Sequence, residues 1–187
     1  MKNKKITTLI MGFAICIIVA GIFVATGGTS AVDEGTPAAS YTVYAAEETH
    51  YPDPVVLEED DVVMIAKTIW GEARGVKSTT EKAAVAWCIL NRVDSEGYAC
   101  GGDIEHVLTF PGQFVGYNED NPVTAECKEI AVDVLMRWVV EKSGKDTGRV
   151  LPKQYIFFTG DGEHNYFTDE WRGGNTWDWS LPSPYED

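Results

Sequence analysis

Trp70-Gly71-Glu72-Ala73-Arg74-Gly75 closes one apolar pattern, and Ala83-Ala84-Val85-Ala86-Trp87-Cys88-Ile89-Leu90-Asn91-Arg92-Val93 forms the next. In the first, Val62, Ile65, Ala66, Ile69 and Ala73 follow the i, i+3, i+4, i+7, i+11 series of an amphipathic helix. Asp60 and Asp61 can cap its start, and Gly75 is a natural stop. At 100° per residue, Glu72 falls about 20° from Ile65 around the axis, so it borders the core face. A carboxyl group held half out of water stays protonated nearer neutral pH and can deliver that proton. The second pattern has no polar side before Asn91, which predicts a helix in the middle of a domain. Ser78-Thr79-Thr80-Glu81 ahead of it has the form of a capping box.

Further along, Asp103 to Thr109 reads as a short helix ending near Phe110-Pro111-Gly112. Asn121-Pro122 opens a long helix, with cap and proline in the preferred order. Its apolar face is Val123, Cys127, Ile130, Ala131, Val134, Leu135 and Trp138, and it ends between Lys142 and Lys145 with Gly144. Gln154 to Thr159 is a β-type run, Gly160-Asp161-Gly162 a turn, and Asn165-Tyr166-Phe167 a returning strand. The tail from Trp171 to Tyr185 is rich in Trp, Gly and Pro and has no clear period. The expected class is α+β: a mostly helical domain with a small β-hairpin, large enough for one core.

Upstream, Lys2, Lys4 and Lys5 precede an uncharged run from Ile6 to Thr26. That length spans roughly 30 Å as a helix, a bilayer core. The basic flank places the N-terminus inside and all that follows outside. Residues 1–26 are therefore a signal anchor, or a signal peptide cleaved near Thr29-Ser30-Ala31, and either implies export to the cell surface or beyond. Residues 27–59 read as a flexible acidic linker and 60–187 as the globular domain. Of the 187 residues, 15 are basic and 29 acidic. With three lysines ahead of the apolar run, the remainder carries 12 bases against 29 acids, a formal charge of −17. Such a surface argues against nucleic acid, whose phosphates need a basic face. It suits a neutral or amine-bearing polymer, or it only keeps the domain soluble. Cys88, Cys100 and Cys127 allow one disulfide and one free thiol, or inert buried thiols.

Several segments in series resemble one family. Ile69-Trp70-Gly71-Glu72-Ala73-Arg74-Gly75, Ala84-Val85-Ala86, Ile89-Leu90-Asn91-Arg92-Val93 and Phe110-Pro111-Gly112-Gln113-Phe114 look like successive motifs of the SleB-type cell-wall hydrolases, the spore-cortex-lytic enzymes and their vegetative relatives. Tyr155-Ile156-Phe157-Phe158 fits the same order. The resemblance covers roughly residues 62 to 170. It implies a lysozyme-related fold, peptidoglycan as partner, and cleavage between N-acetylmuramic acid and N-acetylglucosamine with Glu72 as the acid. The end of the chain departs: Asn175-Thr176-Trp177-Asp178-Trp179 stands where an aromatic, His-containing finish is expected. No cofactor is implied, and the protein is expected to act as a monomer.

Glycosidic cleavage passes through an oxocarbenium-like state, and the leaving oxygen needs a proton. Glu72 supplies it and then serves as base. If it activates water, the strand is hydrolysed. If it activates the muramic 6-hydroxyl, a 1,6-anhydro end forms, as in lytic transglycosylases, and no second carboxylate is required. The family resemblance favours the second route. The bland alternative is a helix-end carboxylate paired with Arg74.

Arg74, Asn91, Gln113, Phe114, Tyr155, Phe157 and Tyr166 are the candidate substrate contacts. Asn91 can hold an acetamido group or merely cap its helix. Gln113 can bond a hydroxyl from its loop, or bond backbone while Phe114 plugs the core. Tyr155, Phe157 and Tyr166 can face sugar rings or pack against helices. Trp70 and Trp87 read as core. Two readings of other classes remain: a silent wall-binding module, and a zinc amidase acting on the peptide stem. The latter would depend on His50, His106 and His164, which lack metal-ligand spacing.

Overall fold

The computed structural model describes residues 40–43, 55–96 and 101–185. The expected anchor or signal segment, most of the linker, Cys16, His50 and Cys100 lie outside the described residues. In chain order the elements are β1 (Ser40–Val43), β2 (Val55–Glu58), α1 (Glu59–Ala73), α2 (Thr79–Val93), α3 (Ile104–Thr109), α4 (Ala125–Glu141), β3 (Phe157–Gly160), β4 (Asn165–Glu170) and β5 (Gly173–Thr176). The class is α+β, and none of these helices is long and apolar enough to cross a membrane.

The apolar periods do their expected work. α1 buries Val62, Ile65, Ala66, Ile69 and Ala73, and α2 is buried from Lys82 to Arg92. α1 packs on both α2 and α4, and α2 also packs on α4, so one core lies between the three. Each fully buried Ile, Leu or Val there is worth roughly 1.5–3 kcal/mol in transfer free energy. Trp87, fully buried, is the largest side chain in it. Trp70 packs only partly against this core, from its edge.

Helix starts differ from the sequence reading in instructive ways. α1 begins at Glu59 with Glu58 as N-cap and no side-chain cap bond; Asp60 and Asp61 lie within the first turn, where their charge suits the helix dipole. Ser78 does cap α2, accepting from Glu81 N at 3.1 Å. The long helix starts at Ala125, capped by Thr124 and not by Asn121-Pro122. Val123 precedes it and is exposed.

Two sheets flank the helices. β1 and β2 pair antiparallel, Ser40 opposite Glu58 and Val43 opposite Val55. The packed chain thus reaches back past the expected start at residue 60, because β2 seats Leu57 in the core. At the other end, the expected hairpin is a three-stranded antiparallel sheet in the order β3-β4-β5. β3 and β4 pair Phe157 with Thr168 and Gly160 with Asn165. β5 joins through a bulge between Thr168 and Glu170. Phe167 and Trp177 fasten this sheet to the body: both are buried, and Trp177 Nε1 donates to Val150 O at 3.1 Å.

Candidate active site

Glu72 sits in the last turn of α1 and is half-buried, as its place beside Ile65 and Ile69 predicts. Its Oε1 accepts the backbone N–H of Gly116 at 2.7 Å. Gly116 belongs to the loop between α3 and α4, which is laid against α1 by close backbone contact. A Cβ on Gly71 would stand 1.9 Å from Gly116 O, and one on Gly116 would stand 2.9 Å from Glu72 Cδ. Neither position tolerates a side chain without displacement, so both glycines serve the approach of loop to helix. Asn121 closes the same loop, its Nδ2 donating to Gly116 O at 2.7 Å and to Lys67 O at 3.1 Å. Lys67 Nζ donates to Glu119 O at 2.6 Å.

Burial pushes the Glu72 carboxyl above the ordinary glutamate range, while the Gly116 N–H and then the positive charge of Arg92 pull it back. The result is an acid that holds its proton longer than a surface glutamate and still has a donor for its carboxylate. Among the described residues, the charge acting on Glu72 is that of a guanidinium and not of a second carboxylate.

Arg92 comes from the last turn of α2 and is buried. Its Nε donates to Ile156 O at 2.7 Å and its Nη1 to Gln113 Oε1 at 3.0 Å. Its guanidinium lies 4.4 Å from the centroid of Phe114 and 5.9 Å from that of Phe157. Phe157 in turn meets the exposed ring of Trp171 at 5.7 Å. Glu72, Arg92, Gln113, Phe114 and Phe157 are thereby linked through shared neighbours on α1, α2, the α3–α4 loop and β3.

Other candidates fall elsewhere. Asn91 is buried, its Nδ2 donating to Pro152 O and Tyr155 O, both at 2.9 Å, and its Oδ1 accepting from Arg149. It fastens the segment leading to β3. Tyr155 is buried against Trp177, their centroids 5.4 Å apart, and packs there. Phe114 is buried beneath Arg92 and plugs the core while Gln113 holds the guanidinium. Arg74 is exposed; its Nη1 donates to Gly71 O at 3.2 Å and its guanidinium lies 5.0 Å from the Trp70 ring centroid. Tyr166 is exposed, with its hydroxyl on Asp161 Oδ2 at 2.9 Å.

The sequence reading missed Gly116 and Asn121, which touch Glu72 or its immediate support. Neither has a local signal, since a loop glycine and an Asn-Pro pair both read as punctuation. Cys88, beside Arg92, and Cys127 are free buried thiols; burial raises the Cys88 thiol to about 11. His164 pairs with Glu81 and His106 packs edge-on against Phe110. Among the described residues no three His, Cys, Asp or Glu side chains gather closely enough to hold a metal.

Compared with family models, with curated proteins and with solved structures, the chain matches none.

Proposed function

We propose that the protein is a glycosidase that cleaves peptidoglycan strands between N-acetylmuramic acid and N-acetylglucosamine. Glu72 protonates the leaving oxygen and then, as carboxylate, acts as base. The observation that carries this reading is the setting of Glu72: half-buried, raised by that burial, and braced by the Gly116 N–H. The motif series resembling the SleB-type cell-wall hydrolases supplies the substrate class. Export, by a retained or cleaved N-terminal segment, would bring a monomeric enzyme to the wall; a retained segment would also anchor it in the membrane.

The reading extends to the lytic transglycosylase route. A retaining hydrolase places a second carboxylate within about 5–5.5 Å of the first. The charged neighbour acting on Glu72 is instead Arg92. Attack by the muramic 6-hydroxyl needs only the one carboxyl group, first as acid and then as base.

Mass spectrometry of digested peptidoglycan tests both levels. Anhydro-muramic ends support the transglycosylase route, and reducing ends support hydrolysis. Free peptide stems with intact strands would overturn the glycosidase reading in favour of an amidase. Glu72→Gln is expected to lower turnover by about 10²–10⁴-fold while sugar binding persists. A second reading, a silent wall-binding module, draws on the exposed rings of Trp171, Trp179 and Tyr166. On that reading Glu72→Gln changes nothing.

A further inference from the structure

A hydrogen bond from a glycine N–H is only as well aimed as the backbone that carries it. Gly116 has the widest choice of φ and ψ of any residue type, so its N–H direction has to be fixed from outside. Asn121 meets that need. Its Nδ2 holds Gly116 O at 2.7 Å and Lys67 O at 3.1 Å, tying the loop to the same helix that carries Glu72. Its own backbone N–H closes a turn on Asn118 O at 3.0 Å, and Tyr117 N does the same on Phe114 O. The Gly116 peptides are thus gripped on both sides: the C=O by Asn121, the N–H by Glu72.

We propose that Asn121 is a positioning residue for Glu72, holding Gly116 so that the carboxylate left after proton delivery finds a donor already aimed at it. This rests on the reading of Glu72 as acid and then base. The amide suits the task because Nδ2 can serve two carbonyls at once. Pre-aimed donors lower the cost of charge developing during the reaction because nothing reorients when it appears. The other groups that face Glu72 are Arg92 and Cys88, both from α2, and neither is held by Asn121.

The test reads the Glu72 carboxyl directly, by carbon-13 titration of the full chain, alongside kcat and KM on peptidoglycan. Asn121→Ala is expected to let Gly116 turn away. The Glu72 titration then moves to higher pH, because the N–H that favours the charged form is lost. kcat falls about 10- to 100-fold with little change in KM. Asn121→Leu keeps a similar volume and leaves the backbone turn on Asn118 O, but removes both donors without adding a charge; the same two changes are expected, so the test survives if the alanine variant fails to fold. Lys67→Ala, which releases only the Glu119 link, is expected to leave the Glu72 titration in place.

If Glu72 titrates unchanged in both Asn121 variants, or if Lys67→Ala moves it equally, the proposal is overturned. A moved titration without any cleavage of peptidoglycan by the parent would uphold the positioning and overturn the enzymatic reading instead.

Discussion

Glu81 reaches out of the first turn of α2 to His164, Oε1 to Nδ1 at 2.9 Å, and so ties a helix start to the tip of a β-hairpin. Its other oxygen accepts Asn165 N at 2.8 Å. The glutamate of the capping-box sequence thus also serves the hairpin. Gly75 completes the junction, since a Cβ there would lie 2.2 Å from Gly162 O.

The hydrogen bond that His164 donates to Glu81, and then the charge of Glu81, raise the His164 pKa above the ordinary 6.5. A raised histidine stabilises the fold fully below the unfolded value and ceases to do so as pH rises through the folded value. The urea midpoint of His164→Gln is therefore expected to fall furthest below the parent's at pH 5 to 6. The gap is expected to narrow steadily above the ordinary histidine range. Urea titrations across that range check it; a gap that stays constant with pH would show that the pair contributes no charge-dependent stability.

The close packing of Gly71 on Gly116 predicts an asymmetric response to added methyl groups. Gly71→Ala forces its Cβ within 1.9 Å of a backbone oxygen, which cannot rotate away. A loss of about 2 kcal/mol is expected from such overpacking, with turnover falling further because the loop carries the donor to Glu72. Gly173→Ala meets nothing within 4 Å and serves as control. Chemical denaturation and peptidoglycan turnover measured on both variants decide the matter, and equal stability in the two would contradict the contact.

The helices were legible in the sequence because each has a repeating apolar period and at least one local signal at its end. Ser78 before α2 and Asp103 before α3, which accepts His106 N at 2.7 Å, are such signals. The start of α4 was not legible, because Asn121-Pro122 carries the same local signature while the Asn121 amide is spent on Lys67 and Gly116. β5 escaped because Gly173-Gly174-Asn175-Thr176 is exposed throughout and has no alternating apolar residues to mark it. The half-burial of Glu72 was legible because its place at the edge of the apolar stripe follows from periodicity alone. Asn91 and Tyr155 stay open between two roles in the sequence for the converse reason. A polar or phenolic group at an element's end can be satisfied by distant backbone, and only the tertiary structure shows that Pro152, Tyr155 and Trp177 are there to satisfy or cover them.

Arg92 predicts the pH behaviour of the proposed reaction. Its charge favours the ionised form of Glu72, against burial. An acid catalyst is active while protonated, so the alkaline limb of kcat/KM follows the folded Glu72 pKa. Arg92→Met removes the charge, and the limb is expected to move to higher pH. Arg92→Lys keeps a charge near the site while losing the planar fork that serves Ile156 O and Gln113, so the limb is expected to stay closer to the parent's while activity falls. pH–rate profiles of the three proteins test this, and a limb that moves to lower pH in Arg92→Met would exclude Glu72 as the acid being titrated.

The sharpest stability prediction concerns Arg149, whose guanidinium lies 4.0 Å from the centroid of Trp87 at the middle of the core. Nε and Nη2 meet the two oxygens of Glu141 at 2.9 and 2.6 Å, while Nη1 serves Leu151 O at 3.1 Å and also Asn91 Oδ1. The side chains of Arg149 and Glu141 are 9% and 19% exposed, so removing one partner leaves the other poorly hydrated. Arg149→Met keeps an apolar stem over Trp87 but leaves Glu141 only the exposed Lys153, whose Nζ lies 3.6 Å from its Oε2, at an expected cost of about 2–3 kcal/mol. Glu141→Leu in the same chain removes that under-paired charge and is expected to recover much of the loss. The hydrogen bonds from Arg149 hold the Glu141 carboxyl below its ordinary 4.5. Its contribution is therefore present above the unfolded value and disappears as pH falls through the lower folded value. The gap between parent and Arg149→Met is expected to be constant near neutrality and to close in acid. Denaturant unfolding of the parent, the single variant and the double variant measures it, and a double variant no more stable than the single would show that the cost lies in lost packing over Trp87 and not in the under-paired carboxylate.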